Sequence, residues 1–231
     1  MQLGVSPLFI FNNLIGGVTI MNKEKVTYGL YAVTSRTWES EEYSLLEQLE
    51  DALIAGVNCV QLREKGCSDK EYLSIAEDVI SICHMYDVPC IINDNIKVAI
   101  KSGADGVHIG QGDGNSRIVR EKIGEGKILG VTVKTVEQAL EAERNGADYL
   151  GTGAVFATST KNDTHIIEHS IVRDICSAVK IPVLAIGGIN EDNIDELKGL
   201  GVSGVAVVSG VFGSKDIQQS CKNLKERVKN L

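Results

Sequence analysis

The sequence lacks the patterns that mark several common classes of protein. Its six cysteines include no Cys-x-x-Cys pair, which argues against a zinc ribbon and against a redox motif. No basic stretch is interleaved with aromatic residues and the formal net charge is −8, so nucleic acid is not expected as a partner. Cysteines inside apolar runs, such as Cys59 and Cys90, predict small buried side chains in a reducing, cytoplasmic environment.

The N-terminal region contains an apolar stretch, residues 8–20, that is too short to span a membrane and is interrupted by two asparagines. No Lys or Arg precedes this stretch, so it does not resemble a secretory signal. We predict that residues 1–26 form a disordered extension and that the protein does not bind membranes. Because residues 16–18 can be encoded by a purine-rich ribosome-binding sequence, Met21 is predicted to be the natural start.

After residue 26, short apolar segments alternate with longer amphipathic ones. The short segments predict eight strands, at residues 28–34, 59–63, 90–93, 106–109, 128–133, 149–153, 183–186 and 204–208. The longer segments predict helices, among them residues 41–55, 69–86, 136–145, 170–179 and 191–199. Asp69 is placed to cap the second of these helices.

This alternation indicates a parallel sheet covered by helices, because the strands are rich in Val and Ile on both faces. A glycine-containing motif leads from a helix into every second strand, and it reads Gly-Val-Asn58, Gly-Ala-Asp105, Gly-Ala-Asp148 and Gly-Val-Ser203. No linker interrupts residues 27–231. We therefore predict one α/β domain over residues 27–231, a (β/α)8 TIM barrel, with an open doubly wound sheet as the alternative.

Cationic side chains follow the second predicted strand, which ends in Gln61-Leu62-Arg63-Glu64-Lys65. In a barrel, the carboxyl ends of the strands carry the functional residues. Alternation along the strand places Gln61, Arg63 and Lys65 on the inward face and Leu62 on the outward face. Arg and Lys together suit a polyanion such as a diphosphate. The structural alternative is an ion-pair cluster with Glu64 or with an acid from another strand.

Carboxylates follow the next two strands, at Asp94 and at Asp113. Two carboxylates at adjacent strand ends would repel each other, and a Mg²⁺ ion shared with phosphate oxygens explains both. The alternatives are a helix cap for Asp94 and a turn for Asp113. His108, inside the fourth predicted strand, is interpreted as an inter-strand hydrogen-bonding residue rather than a metal ligand.

Hydroxyl and glycine residues follow the last three strands, in the segments 158–161, 187–188 and 208–210. Hydroxyl, ammonium and backbone N–H donors in such loops bind phosphate in many barrels. The mouth of the barrel is therefore predicted to hold two anions. A monophosphate would lie near the seventh and eighth strands, and a metal-bound diphosphate near the second to fourth.

These motifs, in this order over residues 28–225, resemble those of thiamine phosphate synthases (thiamine-phosphate pyrophosphorylases). The resemblance implies condensation of 4-amino-2-methyl-5-(diphosphooxymethyl)pyrimidine with hydroxyethylthiazole phosphate, giving thiamine phosphate and pyrophosphate. It implies that the pyrimidine diphosphate is bound by Gln61, Leu62, Arg63, Glu64, Lys65, Asn93, Thr132 and Lys161. It implies that the thiazole phosphate is bound by Thr158, Ser159, Thr160, Gly188, Val208 and Ser209. By the same resemblance, Asp94 and Asp113 hold Mg²⁺, and Arg63, Lys65 and Lys161 assist pyrophosphate departure.

Two alternative functions and the oligomeric state stay open. A thiazole tautomerase on the same barrel would not need Asp94, Asp113 and Lys161 together. The histidine expected of a tautomerase after the fifth strand is Lys134 here. A non-catalytic barrel that senses thiazole phosphate or thiamine phosphate is the other alternative. Small molecules are the expected partners, and a homo-oligomer is left open.

Overall fold

Residues 11–15, 18–158 and 165–231 are described by the computed structural model of the chain. Strands β1 (Phe11–Ile15) and β2 (Val18–Met21) form a separate antiparallel pair. The remaining described strands are β3 (Leu30–Val33), β4 (Cys59–Leu62), β5 (Cys90–Asn93), β6 (Gly106–Ile109), β7 (Ile128–Val133), β8 (Tyr149–Gly153), β9 (Val183–Ile186) and β10 (Gly204–Val207). These eight strands are parallel, each pairs with the next, and β10 closes on β3. The predicted (β/α)8 barrel is confirmed, and the open doubly wound sheet is wrong.

Helices separate the barrel strands along the chain. They are α1 (Leu45–Ile54), α2 (Asp69–Met85), α3 (Ile96–Lys101), α4 (Ser116–Ile123), α5 (Val136–Arg144), α6 (His169–Ala178), α7 (Ser209–Phe212) and α8 (Ile217–Val228). The helix predicted at residues 191–199 is wrong, because that segment forms only a 3-10 turn, Ile194–Leu197, before Gly199 takes a positive φ. Among the described helices, none has the length and apolar character needed to cross a bilayer.

The cap of α2 is Ser68, and the prediction of Asp69 is wrong. The Ser68 hydroxyl accepts a hydrogen bond from the N–H of Glu71, and the Glu71 carboxylate accepts one from the N–H of Ser68. This reciprocal pair satisfies two backbone groups of the first turn. Asp69 is already the first helical residue of α2 and lies one position past the cap.

Side chains pack in two layers, one inside the barrel and one between the strands and the helices. The inner layer contains Tyr28, which precedes β3, and residues that point inward by strand alternation: Tyr31, Val33, Cys59, Ile91, Ile128, Tyr149, Leu184 and Ala206. Tyr31 and Tyr149 are each 1% exposed. The barrel is therefore filled below its mouth, and any ligand site lies above this layer.

The amino ends of the strands, which we call the barrel floor, carry three equivalent residues from the repeated glycine motif. Side-chain oxygens of Asn58, Asp105 and Asp148 accept hydrogen bonds from N–H groups at the start of the preceding strands, at distances of 3.0, 2.7 and 2.8 Å. Asp148 also forms ion pairs with Arg120, at 2.5 Å, and with Lys23, at 2.9 Å. The motif thus ties neighbouring strands together in pairs.

The N-terminal region meets the barrel at this floor. Lys23, just after β2, forms its ion pair with Asp148, and Val26 packs against the inner layer. The domain boundary at residue 27, the disordered extension over residues 1–26 and the natural start at Met21 stay predictions. Within residues 1–26, the structure contains the β1–β2 pair and the ion pair between Lys23 and Asp148.

Candidate active site

The carboxyl ends of the strands form the barrel mouth, and β4 delivers its residues there as strand alternation requires. Gln61 is buried inside the barrel, where its amide Nε2 donates to the Tyr31 hydroxyl at 3.0 Å. Leu62 points the other way, into the layer beneath the helices, and its carbonyl accepts from the Tyr72 hydroxyl at 2.7 Å. Only the backbone of Leu62 can therefore face a ligand in the mouth.

The last residues of this segment carry the charges. The N–H of Arg63 donates to the Thr34 hydroxyl at 3.0 Å, which fixes the backbone where β4 ends. The Glu64 side chain is 4% exposed, and its Oε2 lies 4.0 Å from the Arg36 guanidinium. Burial raises the pKa of Glu64, and its Oε1 has no hydrogen-bond partner among the described residues.

Lys65 reaches across to the end of β5, where its Nζ lies 2.7 Å from Asp94 Oδ2. The ion-pair alternative considered for these cations is therefore observed at Lys65. The Lys65 side chain is 57% exposed, and ion pairs with this much solvent contact contribute about 0–1 kcal/mol. So weak a bond leaves Lys65 able to exchange its partner for an anionic ligand.

Asp94 is held at the mouth by the backbone and not by a helix. Its φ is +63°, and its N–H donates to the carbonyl of His108 at 2.8 Å. The cap of α3 is the next residue, Asn95, whose side chain accepts from the N–H of Val98 at 3.0 Å. The helix-cap alternative for Asp94 is therefore wrong. A left-handed conformation is uncommon for a residue with a side chain, and such conformations cluster at functional sites.

Asp113, in the loop after β6, does have the turn role considered for it. Its Oδ2 accepts from the N–H of Gly110 at 2.7 Å. Burial raises the pKa of Asp113, and the charge of the neighbouring Asp94 raises it further. Burial also acts to raise the pKa of Asp94, but the hydrogen bond and the charge of Lys65 outweigh it and the net shift is downward. The two carboxylates are thus close enough to affect each other's ionisation.

This crowding of negative charge fits a divalent cation. Within the described residues there is no group of three or more His, Cys, Asp or Glu side chains arranged to hold a metal. Mg²⁺ does not need such a group, because it is commonly held by one or two carboxylates together with water and substrate phosphate oxygens. Asp94 and Asp113 supply that number of carboxylates, and Nζ of Lys65 lies beside them, 2.7 Å from Asp94 Oδ2.

The strand β7, which pairs with β6, supplies Thr132. Its hydroxyl lies 2.8 Å from Nε2 of His108, and Nδ1 of His108 lies 2.9 Å from the Tyr149 hydroxyl. The prediction that His108 forms inter-strand hydrogen bonds is confirmed. Asn93 ends β5 directly beside His108 in the strand register. The contacts of Tyr31 and Tyr149 could not be predicted from the sequence, because an inward tyrosine has the same pattern as any apolar core residue.

The residues expected around the monophosphate lie on three loops that pack together. The loop after β8 runs beside the loop after β9, where the N–H of Phe156 donates to the carbonyl of Gly187 at 3.0 Å. A Cβ at Gly188 would lie 2.3 Å from the carbonyl oxygen of Ala157, and its φ is +68°, so only glycine fits there. A Cβ at Gly210, in α7, would lie 2.7 Å from the carbonyl oxygen of Ile189.

Thr158 therefore follows a loop that touches the Gly187–Gly188 turn, and Val208 and Ser209 begin the short helix α7 beside the same turn. The first turn of a helix leaves backbone N–H groups available to an anion. The other residues expected in this part of the site, Ser159, Thr160 and Lys161, lie outside the described residues.

Comparison with known proteins identifies the family. A family model described as thiamine monophosphate synthase matches residues 30–211. The chain belongs to this family. A thiamine-phosphate synthase of Clostridium tetani is 44% identical over 204 residues, which cover 88% of this chain and 97% of that protein. A thiamine-phosphate synthase of Ruminiclostridium cellulolyticum is 46% identical over 204 residues, with the same coverage.

The family also accounts for the fold. The solved structure of a thiamine phosphate pyrophosphorylase from Pyrococcus furiosus matches with a TM-score of 0.79 and 37% identity, covering 87% of this chain and 96% of that one. The resemblance inferred from the ordered motifs is thus confirmed. As a member of the thiamine monophosphate synthase family, the chain is an enzyme of the transferase class.

Proposed function

We propose that this chain condenses 4-amino-2-methyl-5-(diphosphooxymethyl)pyrimidine with hydroxyethylthiazole phosphate to give thiamine phosphate and pyrophosphate. Membership of the family supports this reaction. The structural observation that carries it is the group formed by Lys65, Asp94 and Asp113 at adjacent strand ends. A cation beside two interacting carboxylates is the arrangement that a magnesium-bound diphosphate requires.

Asp94 and Asp113 are the residues that would hold Mg²⁺. When bound there, Mg²⁺ would supply positive charge to the oxygens of the departing diphosphate. Arg63 and Lys65 supply further positive charge from the segment that follows β4, and Lys161 is proposed to do so from the sequence between β8 and α6. These side chains favour the transition state because charge on the leaving group grows as the bond breaks.

The reaction needs no nucleophile from the protein. The C–O bond between the pyrimidine methylene and the diphosphate breaks, and its electron pair leaves with pyrophosphate. The methylene carbon becomes positive and is stabilised by the amino group of the ring. The lone pair of the thiazole nitrogen then forms the new C–N bond. The protein has to orient the ring, hold the leaving group and exclude water from the cation.

Orientation is proposed to come from two sets of residues. Gln61, Asn93 and Thr132 surround the position of the pyrimidine ring from β4, β5 and β7. The phosphate of the thiazole is anchored on the opposite side by Thr158, Ser159, Thr160, Gly188, Val208 and Ser209. Anchoring the phosphate holds the thiazole nitrogen near the methylene carbon and makes the second step effectively intramolecular.

The deciding experiment measures pyrophosphate release from the two substrates with and without Mg²⁺. The proposal predicts release that requires Mg²⁺ and both substrates, together with formation of thiamine phosphate. A thiazole tautomerase would isomerise its thiazole substrate and release no pyrophosphate. A non-catalytic sensor would bind thiazole phosphate or thiamine phosphate without turnover, and either result would overturn the proposal.

We further propose that the enzyme acts in the cytoplasm. All six cysteines are free thiols, as a reducing compartment allows. Cell fractionation with detection of the native protein tests this, and recovery in an extracytoplasmic fraction would contradict it.

A further inference from the structure

A pocket of about 490 Å³ opens at the barrel floor, at the opposite end of the barrel from the candidate active site. We call it the floor pocket. It is lined by residues 26–29, which lead into β3, by Asn58, Pro182 and Ser203, which precede β4, β9 and β10, and by the last turns of α8. None of its described lining residues is among those expected to bind a substrate. The inner layer fills the barrel between this pocket and the mouth, so the two sites are separate.

The floor pocket lies at the seam where the barrel closes. The N–H of Val205, in β10, donates to the carbonyl of Gly29, just before β3, at 2.8 Å. A Cβ at Gly204 would lie 2.4 Å from the same carbonyl oxygen, so the first and last barrel strands approach closely here. Gly29 and Ser203 both line the pocket. A ligand in the pocket would therefore contact the segments that lead into both strands.

The apolar wall of the floor pocket is part of the protein core. Tyr28 belongs to the inner layer, where its ring centroid lies 4.6 Å from that of Tyr149, and Val26 packs against the same layer. Pro182 and Val228 complete the apolar part of the wall. A concave, largely apolar pocket of about 300–1,000 Å³ is typical of a binding site for a small molecule.

Asn58 holds the polar side of the floor pocket in place. Its Oδ1 accepts a hydrogen bond from the N–H of Leu30 at 3.0 Å, and its Nδ2 donates to the Thr27 hydroxyl at 3.2 Å. Both ends of the Asn58 amide are thus bonded to β3 and to the segment that leads into it. The barrel itself therefore forms the pocket, and no ligand is needed to shape it.

Positive charge is concentrated at the floor pocket. Lys225 and Lys229, from α8, both line it, and its described lining residues include no Asp or Glu, although the chain has a net charge of −8. Nζ of Lys225 donates to the carbonyl of Gly56 at 2.5 Å, which leaves two of its three hydrogens for other acceptors. Lys229 pairs with Glu226, but these side chains are 60% and 72% exposed, and such a pair contributes little.

We infer that the floor pocket binds a small molecule that combines an apolar ring with one carboxylate or phosphate group. The ring would pack against Tyr28, Pro182 and Val228, and the anionic group would accept hydrogen bonds from Lys225 and Lys229. Two ammonium groups beside an apolar wall are complementary in charge and polarity to such a ligand. The inference concerns the end of the barrel opposite the proposed chemistry and does not depend on the proposed function.

The binding test titrates the full chain with 1-naphthoate, with 1-naphthyl phosphate and with the neutral 1-naphthylmethanol, followed by ¹H–¹⁵N NMR. The N–H signals of Ser203 and Lys229 report on the floor pocket, and that of Gly188 reports on the mouth. We expect saturable shifts of the floor signals with the anionic rings. The neutral ring should bind about 10-fold more weakly, because it lacks the hydrogen bonds to a charged donor. The tighter of the two anionic probes identifies the preferred anionic group.

Lys225→Met removes the ammonium and keeps an apolar side chain. It should weaken binding of the anionic probes about 10-fold and leave binding of the neutral ring unchanged. Lys222→Met is the matched control, because Lys222 lies on the same helix but does not line the floor pocket. It should keep the affinity for all three probes.

A second variant covers the case in which Lys225→Met fails to fold, since Lys225 also bonds to the carbonyl of Gly56. Ser203 is exposed at the rim of the floor pocket, so Ser203→Phe should fold and should block binding of every probe by occupying the pocket. Unaltered binding in Ser203→Phe would overturn the inference.

Three further results would contradict the inference. The first is the absence of saturable shifts at the floor signals of the unmodified chain. The second is equal affinity for the anionic and neutral rings, or equal affinity of Lys225→Met and Lys222→Met for 1-naphthoate. The third is a shift of the floor signals with protein concentration in the absence of any probe, which would show that this surface is an interface between two copies of the chain.

Discussion

The floor and the mouth of the barrel use the same residue type, aspartate, in opposite ways. At the floor, Asp105 accepts a backbone N–H and pairs with His84 at 2.9 Å, and Asp148 accepts a backbone N–H and pairs with Arg120 and Lys23. At the mouth, Asp94 is bonded through its side chain to one exposed cation.

The floor and mouth aspartates differ in how many further hydrogen bonds their carboxylates can accept. A carboxylate can accept about four hydrogen bonds. Asp148 uses its capacity on the barrel itself, which makes it a stabilising residue. Asp94 and Asp113 each have one oxygen, Oδ2, in a hydrogen bond of 2.7 Å and lie close to each other, so they retain capacity for a ligand. The aspartates that stabilise the barrel thus lie at its floor, and the aspartates proposed to bind the metal lie at its mouth.

The largest effect is expected at the mouth. Asp94→Ala should lower the rate of pyrophosphate release by about 10³-fold or more, because it removes half of the proposed cation site. Thermal unfolding should be nearly unchanged, since the lost ion pair with Lys65 is largely exposed. Lys161→Ala is expected to act in the same way. Near-normal turnover in both variants would remove the metal–diphosphate mechanism.

At the floor, Asp148→Ala should lower the free energy of unfolding by about 3 kcal/mol and leave kcat of the folded enzyme unchanged. It would leave the Arg120 guanidinium, whose side chain is only 8% exposed, without its carboxylate. Denaturant unfolding measures the loss. Asp195→Ala is a matched control, because its ion pair with Arg227 is exposed and should contribute less than about 1 kcal/mol. Equal losses in the two variants would contradict the stabilising role of the floor.

The smallest effect is expected at Ser68, and it tests whether every polar residue at the mouth contributes to catalysis. Ser68 follows β4 at the mouth, but it caps α2. Ser68→Ala should lower the free energy of unfolding by about 1 kcal/mol with no change in KM or kcat, and Ser68→Asp should restore most of it. A lower kcat or a higher KM in Ser68→Ala would show that this residue also contributes to catalysis and is more than a helix cap.

The strand pattern and the charged end of β4 could be predicted from the sequence, since both depend on local alternation. Asp94 could be predicted to lie at the mouth for the same reason. The sequence does not distinguish Ser68 from Asp69 as the cap of α2, because both side chains can accept a backbone hydrogen bond. Only the reciprocal bonding with Glu71 decides between them. The pattern of residues 191–199 predicts a helix, but the 3-10 turn that forms there spans only four residues.

The hydrogen bond between the Tyr31 and Tyr149 hydroxyls could not be predicted, because it depends on closure of the barrel. Tyr31 on β3 and Tyr149 on β8 are 118 positions apart and do not lie on adjacent strands. Gly130 leaves room for the side chains of Tyr149 and His108, but this is evident only when the positions of those side chains are known. Contacts across the barrel axis leave no periodic signal in the sequence.

The most direct test of the account is a crystal structure with the pyrimidine diphosphate and Mn²⁺ in the absence of the thiazole phosphate. Anomalous scattering locates the ion without reference to the protein. The account predicts one ion bonded to carboxylate oxygens of both Asp94 and Asp113 and to diphosphate oxygens, with Lys65 turned to the diphosphate. Carboxylates that point away from the ligand, with no ion between them, would contradict it.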